Sequence, residues 1–353
     1  MIDKIMNWFW QFWNQWIKFR SVDPTISFAR FLVKLGVGLM APGGIWWLLV
    51  VFEIKPEGIP ASFSVSVGPD TVTYTGLGLL LIGVILGLWG VREIKKKRAS
   101  CLLYFRGLPG MHDKPPTSDL PLKYRYGDVS HLTLDTISVS NHNVLEHIKI
   151  FRNMLDEKLF QLGTDAPFLV FAGLAPVPLL YAAGVTISNR ANLITMDYNR
   201  FEQNWHTLDA PDDMEEVEVS FPEYFSGTEI AIAIPFSINI SESHIPSTFS
   251  DKTIWVKLQT GGPRTDSISS SLKLNRILKI VHDLIRNLRG RNGYSNIGKI
   301  HLFIAAQAST VFKLGTEYQP NAYPAAQIYH FDAGKGEYTW SVCVRNNDIS
   351  LCK

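Results

Sequence analysis

Cysteine is scarce in this sequence, whose 353 residues include only Cys101, Cys343 and Cys352. The three are an odd, scattered set, and no CxxC or cysteine–histidine spacing accompanies them. Disulfide-rich scaffolds and zinc sites both require such spacings. We therefore expect neither a disulfide framework nor a metal site, and the scarcity fits a reducing compartment.

The signatures of common catalytic sites are also missing. The sequence contains no GxSxG nucleophile elbow, no HExxH zinc motif, no Walker loop and no GxGxxG dinucleotide fingerprint. His282 adjoins Asp283 in an amphipathic segment, where a surface position is the simpler interpretation. His301 begins a buried strand and has no obvious acid partner. We predict no catalytic residue and no cofactor, and we keep a membrane-tethered α/β enzyme as the third hypothesis.

A strong imbalance of charge is absent too. The formal net charge is only +2, so nothing in the overall charge demands DNA as a partner.

The basic excess is local and flanks two long apolar runs. Phe31 to Phe52 is apolar except for Lys34, and Val72 to Val91 has no charged residue. About twenty residues at 1.5 Å each match a hydrocarbon core of roughly 30 Å, so we predict two transmembrane helices within residues 25–98.

The flanking charges predict the orientation of these spans. Lys18, Arg20, Arg30 and Lys34 precede or open the first span, and a second basic group, Arg92, Lys95, Lys96, Lys97 and Arg98, follows the second. The loop between the spans has one lysine against three acidic residues. Because positive residues remain inside, we expect a two-pass protein of the bacterial inner membrane with both termini cytoplasmic.

Three features suggest that the spans do more than anchor the chain. Pro42-Gly43-Gly44 predicts a kink in the first span, and Gly83-Val-Ile-Leu-Gly87 in the second is a small-xxx-small pattern that permits close helix packing. Residues 1–24 predict an amphipathic helix whose tryptophans favour the lipid headgroup region. A seam for a partner helix is the competing interpretation of that segment, and ordinary membrane-helix composition is the alternative for the glycine pair.

The rest of the chain alternates strands and helices and predicts an α/β fold. We expect a linker at 99–119, then a domain at 120–353 made of two halves, 120–245 and 246–353. The acidic stretch 212–216 is interpreted as a solvated loop. Residues 170–184 align with 301–315, so that Gly184 pairs with Gly315, and Tyr198 pairs with Tyr329 at the same separation. Each half predicts strand, turn, short helix and strand, a Rossmann-like unit, and the two units form a pseudo-dimer.

The second half resembles a known family. His301-Leu-Phe-Ile-Ala-Ala-Gln-Ala-Ser-Thr-Val-Phe-Lys-Leu-Gly315, followed by 326–332 and 338–342, is similar to the end of a SAVED domain, a fused pair of CARF-like Rossmann units. The resemblance covers roughly residues 120–353. Two spans ahead of such a domain also match a class of CBASS antiphage effector.

That resemblance implies a receptor for a cyclic di- or trinucleotide, which a partner nucleotidyltransferase makes on infection. It implies that the bound ligand drives homo-oligomers or filaments, and that the clustered spans disrupt the lipid bilayer and abort the infection. A nucleotide-regulated membrane receptor or ligand-gated channel is the second hypothesis.

A ligand of an open α/β sheet should lie beyond the carboxyl ends of its strands, where helix N-termini offer N–H groups to phosphates. Three groups of residues fit such a site. They are glycine and arginine after one strand, small polar residues after another, and an aromatic residue beside a cation. The predicted ligand-binding residues are Gly261, Gly262, Arg264, Gln307, Ser309, Thr310, Tyr198, Arg200 and Pro176. The glycine pair as a plain turn, Tyr198 as a core residue and Arg200 as a solvated cation are the alternatives.

Overall fold

The structure is a computed structural model that describes residues 24–40, 69–97 and most of 100–352. Residues 1–23, 41–68, 98–99, 110, 112–114, 122–123, 125–128, 163–167, 189, 201, 261 and 353 lie outside that description. The interfacial helix, the kink at Pro42-Gly43-Gly44 and most of the first predicted span therefore lie outside the described residues. The chain divides into two units, Met1–Lys97 and Arg98–Lys353, each described by itself below.

The first unit contains two helices that pack against each other, α1 (Pro24–Met40) and α2 (Pro69–Lys97). Glycines form the seam between them. A Cβ added to Gly36 would lie 2.6 Å from the Gly76 carbonyl oxygen, and one added to Gly83 would lie 2.9 Å from the Val33 nitrogen. The close approach predicted from the Gly83 pattern is confirmed, and its partner is α1 of the same chain. Among the described residues, no helix meets the length and hydropathy that a membrane crossing requires.

The second unit is an α/β fold with two mixed sheets. In the first sheet the strands lie in the order β2-β1-β3-β4-β5, and only β5 is antiparallel to its neighbour. Its strands are β1 (Ser100–Arg106), β2 (Val129–Asp135), β3 (Phe168–Gly173), β4 (Asn192–Asn199) and β5 (Asn204–Thr207). Two helices accompany the sheet, α3 (Val144–Leu162) and α4 (Val177–Ile187).

The second sheet has the order β12-β11-β10-β9-β7-β8-β6, with a parallel centre and antiparallel edges. Its strands are β6 (Val217–Ser220), β7 (Glu229–Pro235), β8 (Thr253–Leu258), β9 (Lys299–Ala305), β10 (Ala325–Asp332), β11 (Glu337–Arg345) and β12 (Asp348–Leu351). Its helices are α5 (Ser271–Asn287) and α6 (Ala308–Thr316).

Two predicted boundaries differ from the structure. The segment 99–119, predicted as a linker, contains β1, which lies between β2 and β3 and pairs with both. Its residues from Cys101 to Phe105 are buried on both faces of the sheet, because alternate side chains of the strand belong to two different apolar clusters. The boundary between halves lies near 208–216 rather than 245, since β6 and β7 pair within the second sheet.

The cysteine prediction also needs correction. Cys343 and Cys352 form a disulfide with a Cα–Cα distance of 5.4 Å, and Cys101 is a buried free thiol. The hairpin of β11 and β12 places Cys343 opposite Ser350, two residues before Cys352. Because side chains alternate along a strand, the two sulfurs lie on the same face, a proximity that linear spacing does not reveal.

The repeated halves pack through α4 and α6, which cross at the two glycines that the sequence alignment pairs. A Cβ on Gly184 would lie 2.1 Å from the Phe312 carbonyl oxygen, and one on Gly315 would lie 2.1 Å from the Tyr181 carbonyl oxygen. Tyr181 and Phe312 are themselves separated by the 131 residues that relate Gly184 to Gly315. The crossing is thus nearly symmetric, and no side chain larger than hydrogen fits at either glycine without displacing backbone.

Candidate functional site

The carboxyl ends of the parallel strands provide the setting for a site. In the first half β3 turns directly into α4, with Pro176 as the residue before the helix and the Leu174 carbonyl accepting a bond from the Thr136 hydroxyl at 2.8 Å. In the second half β9 turns into α6, and Gln307 is the residue before the helix. A helix N-terminus therefore faces the carboxyl edge in each half, as the repeat predicts.

Asp197 joins the two halves at this edge. It lies near the end of β4 in the first sheet, and its carboxylate accepts hydrogen bonds from the Ser309 backbone N–H at 3.1 Å and from the Ser309 hydroxyl at 2.5 Å. The Gln307 side-chain amide donates a third bond at 3.2 Å. The N-terminus of α6 thus holds an anionic group that comes from the other half, which is favourable because the helix dipole is positive there.

The environment of Asp197 is dry, and only 4% of the residue is exposed. Burial raises the pKa of this carboxyl to about 6, even though the hydrogen bonds from Ser309 act in the opposite direction. Its charge therefore changes within a unit or so of neutral pH. Asp197 is not among the predicted ligand-binding residues; the one available signal was an acidic residue inside an apolar strand.

The predicted residues of α6 are close together but already bonded. The side-chain amide N–H of Gln307 and the N–H and hydroxyl of Ser309 donate to Asp197, and the Gln307 side-chain oxygen Oε1 accepts from the Ile268 N–H at 2.8 Å. Thr310 is buried, and within the described part of the chain its hydroxyl has no hydrogen-bond partner. The buried hydroxyls of Ser237, after β7, and Ser267, before α5, share that property. A buried hydroxyl without a partner is costly, so a polar group brought to this edge would be stabilised.

Arg264 is engaged by a carboxylate. Its guanidinium donates to both oxygens of Glu215, at 3.1 and 2.8 Å, and to the Thr260 carbonyl at 2.9 Å. The Glu215 side chain is 3% exposed and also accepts from Lys273 at 2.7 Å. Burial alone would raise the pKa of Glu215, but the hydrogen bonds from Arg264 and Lys273 outweigh burial and hold that pKa below its usual value.

The interpretation of 212–216 as a solvated loop is therefore wrong for Glu215. Asp212, in the same stretch, pairs with Arg276 at 2.8 Å, so the connection between the halves is tied to α5 by ion pairs. One feature of the sequence pointed to these ion pairs: the stretch 212–216 is acidic and α5 has a basic face. Gly262 has a φ of +64°, which favours glycine, and Gly261 lies outside the described residues.

Tyr198 lies next to Asp197 on β4, so its side chain points to the opposite face of the sheet. There it lines a cavity of about 380 Å³ with Tyr104 and Trp205, and the ring centroid of Trp205 lies 5.2 Å from that of Tyr198 and 6.2 Å from that of Tyr104. The other lining residues are Met111, Pro115, Pro116, Ser118, Asp119, Gln203 and Asn204. Arg200 is exposed in the turn after β4. The structure thus separates Tyr198 from Gln307 and Ser309.

His301 has the acid partner that the sequence did not show. Its Nε2 lies 3.1 Å from a Glu229 carboxylate oxygen, and its Nδ1 lies 2.9 Å from the Tyr329 hydroxyl. Burial lowers the pKa of His301 and raises that of Tyr329 to about 12. A carboxylate oxygen only accepts, so the Nε2–H donates to Glu229; in the neutral imidazole Nδ1 is then left to accept from the Tyr329 hydroxyl. Across the described part of the chain, no cluster of three or more His, Cys, Asp or Glu side chains is arranged to hold a metal ion.

Comparison with known proteins places this geometry in context. The SAVED family, described as an SMODS-associated sensor domain fused to various effectors, matches residues 151–344, more than half of the chain. Two solved structures of an Acinetobacter baumannii Cap4 SAVED/CARF-domain containing receptor, one with the cyclic trinucleotide 2'3'3'-cAAA and one with 3'3'3'-cAAA, are similar at 13% and 14% identity with a TM-score of 0.46. Each alignment covers 77% of this chain and 59% of the receptor chain, so this chain spans less than two thirds of its length. No curated protein matches the sequence.

Proposed function

This chain belongs to the SAVED family of sensor domains, and on that premise we propose that it is a CBASS antiphage effector. In this proposal the second unit binds a cyclic di- or trinucleotide made by a partner nucleotidyltransferase. The bound chains form a homo-oligomer or filament, and their N-terminal helices then disrupt the inner membrane and abort the infection. The chain acts as a receptor and carries out no catalysis.

The observation that carries the proposal is the anion at the junction of the two halves. The N-terminus of α6 holds the Asp197 carboxylate through two bonds from Ser309, at the carboxyl edge where ligands of α/β sheets bind. Helix N-termini bind phosphate by the same donors, so a phosphodiester is chemically matched to this position. Within the described residues, the buried hydroxyls of Ser237, Ser267 and Thr310 also lack a hydrogen-bond partner.

A consequence is that ligand and Asp197 compete for the same donors. A phosphodiester is a stronger acid than a carboxyl group whose pKa lies near 6, so it stays charged at pH values where Asp197 becomes neutral. Displacement of Asp197 would release the hydrogen bonds by which Ser309 and Gln307 join the halves. We therefore propose that ligand binding changes how the first half is held against α6, and that this change starts oligomerisation.

The first unit supplies the effector in this proposal. The face of α2 that points away from α1 is apolar, and its side chains are exposed, Ile85 to 64% and Leu88 to 68%. Exposed apolar surface of this extent is costly in water and favourable in lipid. Together with the charge pattern of the flanks, it supports a two-pass protein of the inner membrane with both termini cytoplasmic.

A ligand screen tests the sensor function. The purified full chain in detergent is mixed with a panel of cyclic di- and trinucleotides that includes cyclic tri-adenylates, and melting temperature and mass are measured. We expect one ligand to raise the melting temperature and to increase the particle mass, because a ligand that binds only the folded state stabilises it. Unchanged melting temperature and mass across the whole panel would contradict the proposal.

A cellular assay tests the effector function. We expect co-expression with the partner nucleotidyltransferase to depolarise the inner membrane and to admit small dyes, whereas a catalytically dead nucleotidyltransferase has neither effect. Ion flux from reconstituted protein without dye entry would instead support the second hypothesis, a nucleotide-gated channel.

A further inference from the structure

The aromatic pocket beside Tyr198 lies on a face of the first sheet whose equivalent in the second half, among the described residues, is occupied by aromatic rings. In the second half the equivalent face is filled: the ring of Phe303 stacks on Tyr329 at 4.6 Å and meets Tyr338 at 4.8 Å. The residue equivalent to Phe303, 131 positions earlier, is Ala172. The first half thus has the small side chain of Ala172 where the second half has the ring of Phe303. A cavity is present beside Tyr198 in the first half.

The walls of this pocket suit a flat ring. Tyr104, Tyr198 and Trp205 contribute three aromatic rings, and Pro115 and Pro116 add rigid apolar surface. Its volume of about 380 Å³ lies within the range of about 300–1,000 Å³ that is typical of small-molecule sites. Stacking between such side chains and a base stabilises binding whatever the base sequence.

The polar groups of the pocket determine which flat rings it prefers. The described lining residues include one carboxylate, that of Asp119, and no lysine or arginine. The carboxylate is held in place because it accepts the Trp205 backbone N–H at 3.0 Å and the Ser118 hydroxyl at 3.0 Å. Each of its oxygens retains a free lone pair, so its complement is an N–H donor.

We propose that this pocket binds a nucleobase that carries an exocyclic amino group, as adenine, guanine and cytosine do, in preference to uracil. The base could belong to the cyclic oligonucleotide of the proposed function or to a free nucleoside. The proposal goes beyond that function for two reasons. The pocket shares no described residue with the α6 N-terminus, and the proposal also holds if the base comes from a free nucleoside.

Calorimetric titration of the full chain in detergent with adenosine and with uridine tests the preference. We expect adenosine to bind at least fivefold more tightly than uridine. Asp119→Asn should reduce that ratio to near one, because an amide can donate to the uracil carbonyls. Equal affinities for both nucleosides, or no adenosine binding at millimolar concentration, would overturn the proposal.

A matched pair of variants tests the pocket itself. Tyr198→Leu should weaken adenosine binding about fivefold to a hundredfold, because one stacking surface is lost, whereas Tyr198→Phe keeps the ring and should change affinity less than twofold. Unchanged melting temperatures for both variants would show that the fold is intact. If Tyr198→Leu binds adenosine as the wild type does, the proposal fails.

Titration with a cyclic tri-adenylate distinguishes the two sources of the base. If Tyr198→Leu weakens that ligand as well as adenosine, the pocket reads a base of the cyclic oligonucleotide; if it weakens adenosine alone, the pocket serves a free nucleoside. The affinity for the cyclic ligand is also measured in Asp197→Asn. If it changes in that variant and stays the same in Tyr198→Leu, the result concerns the proposed function and not the pocket.

Discussion

At the scale of single residues, one buried carboxylate connects the halves of the second unit by hydrogen bonds. Asp197 belongs to the first sheet, yet all three of its hydrogen-bond donors belong to the turn and helix that follow β9. A buried charge is tolerated only when it is bonded, and here the bonds come from a helix N-terminus. A single strand residue thus contributes three hydrogen bonds to the junction between the two halves.

Stability should depend on pH through Asp197. Its pKa in the folded chain is about 6 and its ordinary value is 3.8, so the folded state retains a proton that the unfolded state releases in this range. Stability from this group is fully present below about pH 4 and is lost as pH rises through 6, a change of up to about 3 kcal/mol. We expect the free energy of unfolding of Asp197→Asn to lack this dependence, measured by urea titration of the full chain between pH 5 and 7.5.

The wild-type-minus-variant difference is the informative quantity in that experiment. Burial lowers the pKa of His131, His301 and His330, and those groups lose stability as pH falls, which opposes Asp197 in the wild type. Subtraction of the variant removes their shared contribution. A difference that stays constant from pH 5 to 7.5 would show that Asp197 does not titrate there.

Arg264 and Glu215 should affect stability unequally. Glu215→Ala leaves Lys273, whose side chain is 2% exposed, with only Asp213 as a partner, so we expect a loss of about 3–5 kcal/mol. Arg264→Ala removes a side chain that is 41% exposed while Lys273 still compensates Glu215, so a loss of about 1 kcal/mol is expected. Urea unfolding of the full chain measures both, and equal losses would show that Lys273 gives Glu215 no compensation.

At the scale of elements, two helix pairs rely on glycine for close contact. The pair α4 and α6 joins the halves of the second unit, and the pair α1 and α2 forms the first unit. In each pair a Cβ would meet backbone atoms, which cannot rotate away as a side chain can. The two contacts have different consequences, since one concerns the sensor and the other the proposed effector.

Gly315→Ala should weaken the junction of the halves. The added methyl group would lie 2.1 Å from the Tyr181 carbonyl oxygen, so α4 and α6 must separate, and we expect a loss of about 2–4 kcal/mol. Gly290→Ala is the control, because a Cβ there has no heavy atom within 4 Å. Thermal unfolding of both variants gives the comparison, and equal melting temperatures would mean that the helices yield without cost.

Gly83→Leu should reduce membrane damage without changing nucleotide affinity. A side chain at Gly83 would collide with the Val33 backbone and push α1 away from α2. Gly78→Leu is the matched control, since the same change on the same helix meets nothing within 4 Å. Depolarisation of cells that also express the nucleotidyltransferase is the measurement. Full activity of Gly83→Leu would show that the close packing of the hairpin is unnecessary.

At the scale of the whole molecule, the second unit has a core of its own. Its largest apolar cluster runs from Cys101 to Val344 and draws on both sheets. The two halves are alike in their central strand–helix segments and differ at their surfaces, where the first half is open beside Tyr198 and the second is filled by Phe303. The two halves therefore share a pseudo-symmetric arrangement of strands and helices but have different surfaces.

A chain that begins at residue 98 should separate sensing from killing. Since that unit is compact by itself, we expect it to bind the same cyclic nucleotide as the full chain within a factor of two. We expect no depolarisation when it is expressed with the nucleotidyltransferase, because the apolar helices are missing. Depolarisation by this truncated chain would place the effector in the second unit.

The sequence by itself determined most of the elements of the second unit. The predicted order of strand, turn and short helix is present in each half, as β3 followed by α4 and as β9 followed by α6, because apolar periodicity and turn residues are local signals. The repeat was visible for the same reason, and its paired glycines meet in the structure. Elements whose signal depends on distant neighbours were not found: β1, β5, β6 and β12 are short or follow a basic run, and only their pairing identifies them.

The tertiary structure alone decided how the site is composed. Residue types at strand ends indicated the carboxyl edge, yet the sequence could not show that Asp197 occupies the α6 N-terminus or that Glu215 binds Arg264, since those partners are separated by 112 and 49 residues. The sequence prediction also grouped Tyr198 with Gln307 and Ser309. Those two residues bond Asp197, and strand geometry sends Asp197 and Tyr198 to opposite faces of the sheet. The physical reason is that hydrogen bonds and ion pairs depend on distances of about 3 Å, which only the packed chain defines.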